Sequence, residues 1–143
     1  MRRIAAMFAE SGLVYAPHPE RVPNTQLALE LGEVARAAGL HPAYHEAVMR
    51  AMWEESLDVA DPSVLREVAL GVGLDGGAID EAIATRSHRR IVEESTREAH
   101  AMGITAVPAF VLQERYLVLG AQPHAVLEEA VAQALAAPPA DTA

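Results

Sequence analysis

Helix punctuation recurs along this chain at short intervals and limits it to a set of short helices joined by tight connections. Asn24, Asp61-Pro62, Asp75, Ser87 and Pro123 each stand where a helix can start, and Pro42 stands in a first helical turn. Gly12, Gly39, Gly71 or Gly73, and Gly103 stand where one can end. The spacing predicts helices over about 2–10 and 25–38, from Pro42 to about Ser56, from Pro62 to Gly71 or Gly73, from Asp75 through Ile83, over about 88–102, and from Pro123 through Leu135. Leu27, Leu29, Leu31, Val34 and Ala38 form the apolar set of the second helix. Tyr44, Val48, Met52 and Glu55 lie along one side of the third, with Trp53 adding bulk beside Met49. Val64, Leu65, Val68 and Ala69 serve the fourth, and Ile79, Ala82 and Ile83 the fifth. Connections this short favour an antiparallel helical cluster.

After Gly103 the character changes. Phe110-Val111-Leu112 and Tyr116-Leu117-Val118-Leu119 are apolar runs separated by Gln113-Glu114-Arg115, the pattern of a hairpin with a three-residue loop. Neither run alternates polar with apolar, so the hairpin is expected to be covered on both faces. The last helix offers Val126, Leu127, Ala130, Val131 and Leu135 for one face. Leu13-Val14-Tyr15 reads as a further short strand, before a loop holding Pro17, Pro19 and Pro23, and residues 138–143 read as a frayed, disordered tail.

Composition excludes several functions. The 143 residues contain no cysteine, so disulfides, thiolate metal sites, a cysteine nucleophile and a dithiol redox centre have no atoms to form from. A net charge of −9 argues against partners bound through phosphate, whether nucleic acid or an anionic membrane. No apolar stretch approaches the ~18 residues of a membrane span, and Glu10 interrupts the one run that imitates a signal peptide. A cytoplasmic location is the expectation.

The polar clusters have ordinary explanations. His41 and His45 stand one helical turn apart, with His41 expected outside the helix and no third ligand evident, so no metal is expected. His88, His100 and His124 are isolated. Glu93-Glu94 and Glu128-Glu129 belong to solvated helix faces. Gly71, Gly73, Gly76 and Gly77 do not follow a strand and read as helix ends and caps, not as a phosphate loop. No G-x-S-x-G elbow is present. Pro108 stands out, because a proline opening an apolar strand must place its missing N–H at an edge or at the strand start.

The segments Gly103-Ile104-Thr105-Ala106-Val107-Pro108-Ala109-Phe110-Val111 and Gly120-Ala121-Gln122-Pro123 resemble the closing half of the DsbA-like thioredoxin-fold family, in its FrnE-like branch of disulfide oxidoreductases and isomerases. Asn24-Thr25, Asp61-Pro62 with Val64-Leu65, and Gly73-Leu74-Asp75 resemble the helical insertion of that family. The 2-hydroxychromene-2-carboxylate isomerases and kappa-class glutathione transferases share this layout.

The resemblance implies a mostly α fold with a small β-hairpin. Residues 1–23 would supply an N-terminal helix and connector, 24–102 an all-helical insertion domain, and 103–137 the C-terminal β-β-α half of a thioredoxin-like fold. It also implies a cis Val107–Pro108 bond in a loop where Ala106, Val107 and Pro108, with Gln122, contact an extended peptide or small-molecule ligand. The family's opening strand, C-x-x-C helix and second strand have no counterpart in the sequence. The implied function is therefore a non-redox binding or dimerising module without a cofactor. One half of a split dithiol oxidoreductase, or a glutathione-dependent isomerase or transferase relative, are the alternatives. A two-stranded apolar hairpin is marginal alone, so a homodimer, or a partner chain completing the sheet, is expected.

Overall fold

The computed structural model describes residues 2–16 and 23–137. The expectations for Pro17, Pro19 and the 138–143 tail lie outside the described residues. The chain divides into two compact units, Met1–Glu94 and Ser95–Ala143.

The first unit contains α1 (Arg2–Glu10), α2 (Gln26–Ala37), α3 (His41–Trp53), α4 (Pro62–Gly71) and α5 (Gly76–Thr85). Their boundaries follow the local chemistry. Asp61 accepts from the Ser63 N–H at 2.8 Å and Asp75 from the Ala78 N–H at 2.9 Å, which satisfies donors left free at the starts of α4 and α5. The Ser63 hydroxyl, which donates to Asp61 Oδ1 at 2.7 Å, and then the Ser63 N–H hold the Asp61 carboxyl below the usual carboxylate range. Asn24 acts one residue further upstream than expected: Thr25 occupies the cap position of α2, while Asn24 Oδ1 accepts from the Gln26 N–H at 2.9 Å.

Helices α2 to α5 enclose one apolar core. Leu31, Ala35, Val59, Leu65, Ala69 and Ile79 are fully buried there, with Tyr44, Val48 and Met52 close behind. Helix α2 packs against α3, α4 and α5, and its inward face runs through Leu27, Ala28, Leu31, Val34 and Ala35. Leu29 points outward and is 54% exposed, because it lies off that helical stripe. Ala38 and Glu55 are exposed as well, and α3 stops at Trp53, short of the expected Ser56. His41 is the first residue of α3, not outside it, because Leu40 takes the cap position.

Two polar contacts enter this core. The Tyr44 hydroxyl donates to the Ala28 carbonyl at 3.1 Å, and burial pushes the phenol above its ordinary range. Glu30, only 1% exposed, receives the Arg86 guanidinium on both oxygens, and Arg86 itself sits in the left-handed region at φ 52°.

Leu13-Val14-Tyr15 is not a strand. The Leu13 N–H donates to the Phe8 carbonyl and the Ala16 N–H to the Trp53 carbonyl. The Tyr15 ring meets Phe8 edge-on at 5.1 Å and Trp53 at 6.4 Å, so aromatic packing onto α1 and α3 replaces strand pairing.

The second unit holds β1 (Ala109–Leu112), β2 (Tyr116–Leu119) and α7 (His124–Ala136); α6 (Arg89–Ala101) runs from the first unit into it. Ser87 does not cap α6 through its side chain; its hydroxyl meets His88 Nδ1 at 3.1 Å. Strands β1 and β2 pair antiparallel in the register Ala109 with Leu119, Phe110 with Val118, Val111 with Leu117 and Leu112 with Tyr116. The loop lacks glycine, and Gln113 and Glu114 both adopt positive φ, 50° and 55°. Helix α7 packs against β2 through a face where Ala134 is buried and Leu127 and Ala130 are half-buried. Val126, Val131 and Leu135 remain exposed, and among the described residues the sheet has two strands and no buried strand residue. The expected cover on both faces of the hairpin is therefore not supplied by the described residues.

Candidate functional site

The proline loop is bounded by two glycines that only a flexible backbone satisfies. Gly103, at φ 83°, ends α6 in the left-handed region, and the Ile104 N–H returns to the Ala99 carbonyl at 3.0 Å. The chain then crosses Thr105, Ala106 and Val107 to Pro108, through a cis Val107–Pro108 bond. Gly120, at φ 81°, closes the other side: its N–H donates to the Pro108 carbonyl at 2.7 Å. This bond extends the hairpin ladder by one pair, so it ties the loop to the end of β2.

Gln122 braces the same corner. Its Nε2 donates to the Leu119 carbonyl at 2.8 Å, spanning the turn between β2 and α7. The structure thus brings Pro108 together with the Gly120-Ala121-Gln122 segment, while the Gln122 amide is engaged in holding that turn. Ala106, Val107, Pro108 and Gln122 are all exposed, and Val107 reaches 86%. Gly120, which the Gly-Ala-Gln-Pro pattern carries, is thus the residue that ties Pro108 to the end of β2.

The other clusters behave as surface features. His41 and His45 stack at 6.1 Å between ring centres, and an Arg36 guanidinium nitrogen lies 3.2 Å from His41 Nε2. Among the described residues no group of three potential metal ligands occurs. Glu93 and Glu94 pair with Arg89 and Arg90 one turn earlier, and Glu128 with His124. No helix among the described residues is long and apolar enough to cross a membrane.

The sequence matches the DSBA-like thioredoxin domain over residues 1–132. The chain belongs to the DsbA-like thioredoxin family. It is 30% identical over 117 residues to YwbO of Bacillus subtilis (strain 168), a protein described as uncharacterized, covering 81% of this chain and 56% of that one. It is also similar to the crystal structure of the probable DsbA oxidoreductase SCO1869 from Streptomyces coelicolor, with a TM-score of 0.87 and 31% identity. That match covers 99% of this chain and 62% of the Streptomyces chain. The chain therefore spans about three-fifths of the length of these DsbA-like relatives. Within the family, its own 143 residues supply the helical unit, the hairpin and the proline loop, and they supply no sulfur nucleophile.

Proposed function

We propose that this DsbA-like chain is a non-redox binding module that holds an extended polypeptide segment against the Ala106–Pro108 loop. The observation that carries this reading is the exposed Val107 beside a loop pinned by the Gly120 N–H to Pro108 carbonyl bond, in a sequence without cysteine. A fixed, exposed loop backbone binds an extended chain through main-chain hydrogen bonds, with little ordering cost on the protein side. Thiol–disulfide exchange requires a thiolate, which these residues do not contain.

The test has two readouts on the purified chain. It should not accelerate insulin reduction by dithiothreitol, and a cysteine-free extended peptide should shift the amide resonances of Ala106 and Val107. Redox turnover above buffer, or peptide binding that leaves both amides unmoved, would overturn the proposal.

A second reading is favoured by the lengths of the relatives. The chain spans 62% of the Streptomyces protein, so it is compatible with one part of a dithiol oxidoreductase whose thiols lie on another segment. Insulin reduction would then appear only when a thiol-bearing segment is supplied.

A further inference from the structure

Internal pairing leaves the charge of this chain one-sided. The sequence carries 20 acidic side chains against 11 basic ones, and every basic one is arginine. Arg36, Arg50, Arg66, Arg86, Arg89 and Arg90 each hold a carboxylate at 3.3 Å or less, so these cations are already matched from within the protein. What remains for a partner to meet is the excess of carboxylates.

The end of the second unit that carries the proline loop shares this bias. Glu114 and Arg115 sit in the hairpin loop, about 13 Å from the Pro108–Gly120 end by the rise of a four-residue strand. Helix α7 begins at His124, directly after the Gly120–Gln122 corner, and its charged residues are His124, Glu128 and Glu129, with no arginine or lysine. The two glutamates lie one turn into the helix, about 6–8 Å along its axis. Glu128 is 68% exposed and meets His124 Nδ1 at 3.3 Å, a contact that neutralises it only when the ring is protonated. Glu129, exposed as well, accepts from the uncharged Gln133 amide at 3.3 Å. The loop itself, Thr105-Ala106-Val107-Pro108, carries no charge.

We infer that the segment bound at the Ala106–Pro108 loop is cationic: an uncharged residue lies against Val107, and lysine or arginine residues beside it face the Glu128 and Glu129 carboxylates of α7. The inference rests on the proposal that this loop holds an extended polypeptide, and it names the class of that polypeptide. A charge set against Val107 would lose water without gaining a partner, so the residue at the loop is uncharged. Two to three extended residues span about 7–10 Å, which gives a flanking cation the reach of the first turns of α7 from an anchor at the loop. An anionic segment would instead approach a chain of net charge −9, against the field.

The probes are three cysteine-free peptides of about nine residues, each with a central Val-Ala-Val and flanks of lysine, glutamine or glutamate, their affinity for the full chain read by fluorescence anisotropy. At about 20 mM salt the lysine peptide should bind about tenfold tighter than the glutamine peptide, and the glutamate peptide more weakly than either. At about 0.5 M salt, where screening acts within about 4 Å, the three affinities should converge to within about twofold. Glu128→Gln with Glu129→Gln should weaken the lysine peptide about fivefold and leave the glutamine peptide unchanged. Glu67→Gln with Glu81→Gln removes the same charge from exposed positions of the first unit, and should alter the lysine peptide by less than about twofold. A lysine peptide no tighter than the glutamine peptide, or an equal loss from both double variants, overturns the inference and leaves the loop reading intact. Failure of all three peptides to bind, or binding that leaves the Ala106 and Val107 amides unmoved, overturns the loop reading and the inference with it.

Discussion

Glu30 on α2 and Arg86 after α5 form a two-pronged ion pair, with Nε to Oε2 at 2.8 Å and an η nitrogen to Oε1 at 2.6 Å, between residues 56 apart in sequence. Glu30 is 1% exposed, whereas the Arg86 side chain is 40% exposed, so the carboxylate bears most of the desolvation. The bond also raises the Arg86 pKa further above its ordinary value.

Removing the cation strands a buried charge. Arg86→Ala should lower stability by about 2–4 kcal/mol, below the full effect of breaking a buried pair because water reaches the guanidinium. Replacing both residues, Glu30→Met with Arg86→Ala, should recover much of that loss. Urea denaturation of the three variants measures the difference, and a double variant no more stable than Arg86→Ala would show that the pair acts through something other than charge.

Tyr44 gives the helical unit an alkaline limit. Burial raises its phenol pKa above the unfolded value of about 10, so folding favours the neutral form. The contribution is fully present below about pH 10 and declines as pH rises beyond it, because the unfolded chain ionises first. Tyr44→Phe should flatten this decline between about pH 10 and 12, and should cost about 1 kcal/mol at neutral pH through the lost bond to the Ala28 carbonyl. Thermal melts across that range compare the two proteins.

The hairpin loop can be improved. Gln113 and Glu114 occupy left-handed backbone that side chains other than glycine, asparagine and aspartate adopt at a cost. Glu114→Gly should stabilise the hairpin by about 1 kcal/mol, read as roughly fivefold slower exchange at the Gly120 amide. Unchanged exchange would show that the loop is not what limits hairpin opening.

Gly32 lies within α2, where glycine is about 1 kcal/mol worse than alanine. A Cβ there would meet the His41 ring at 3.7 Å and Tyr44 at 3.9 Å, ordinary contact distances. Gly32→Ala should therefore raise the melting temperature by a few degrees. A fall would mean that the α2–α3 crossing needs the missing methyl.

What the sequence determined by itself was local: where helices begin and end, and where the hairpin turns. Asp61 and Asp75 cap the helices they precede, and Gly103 ends α6, because these interactions involve residues within one helical turn. The Val-Pro and Gly-Ala-Gln-Pro segments carried the resemblance to the DsbA-like family that the match over residues 1–132 shows. Tertiary structure decided what depends on distant neighbours. Leu13-Val14-Tyr15 has strand-like residues, yet the rings of Phe8 and Trp53 draw Tyr15 into an aromatic cluster. Leu29 and Leu31 are the same residue type two positions apart, and only the packing of α3 to α5 around α2 makes one exposed and the other buried. No residue near Glu30 in sequence explains its burial; its partner Arg86 comes from the end of α5, 56 residues on. Caps and turns are written within a few residues, whereas burial and charge pairing depend on which surfaces the folded chain brings together.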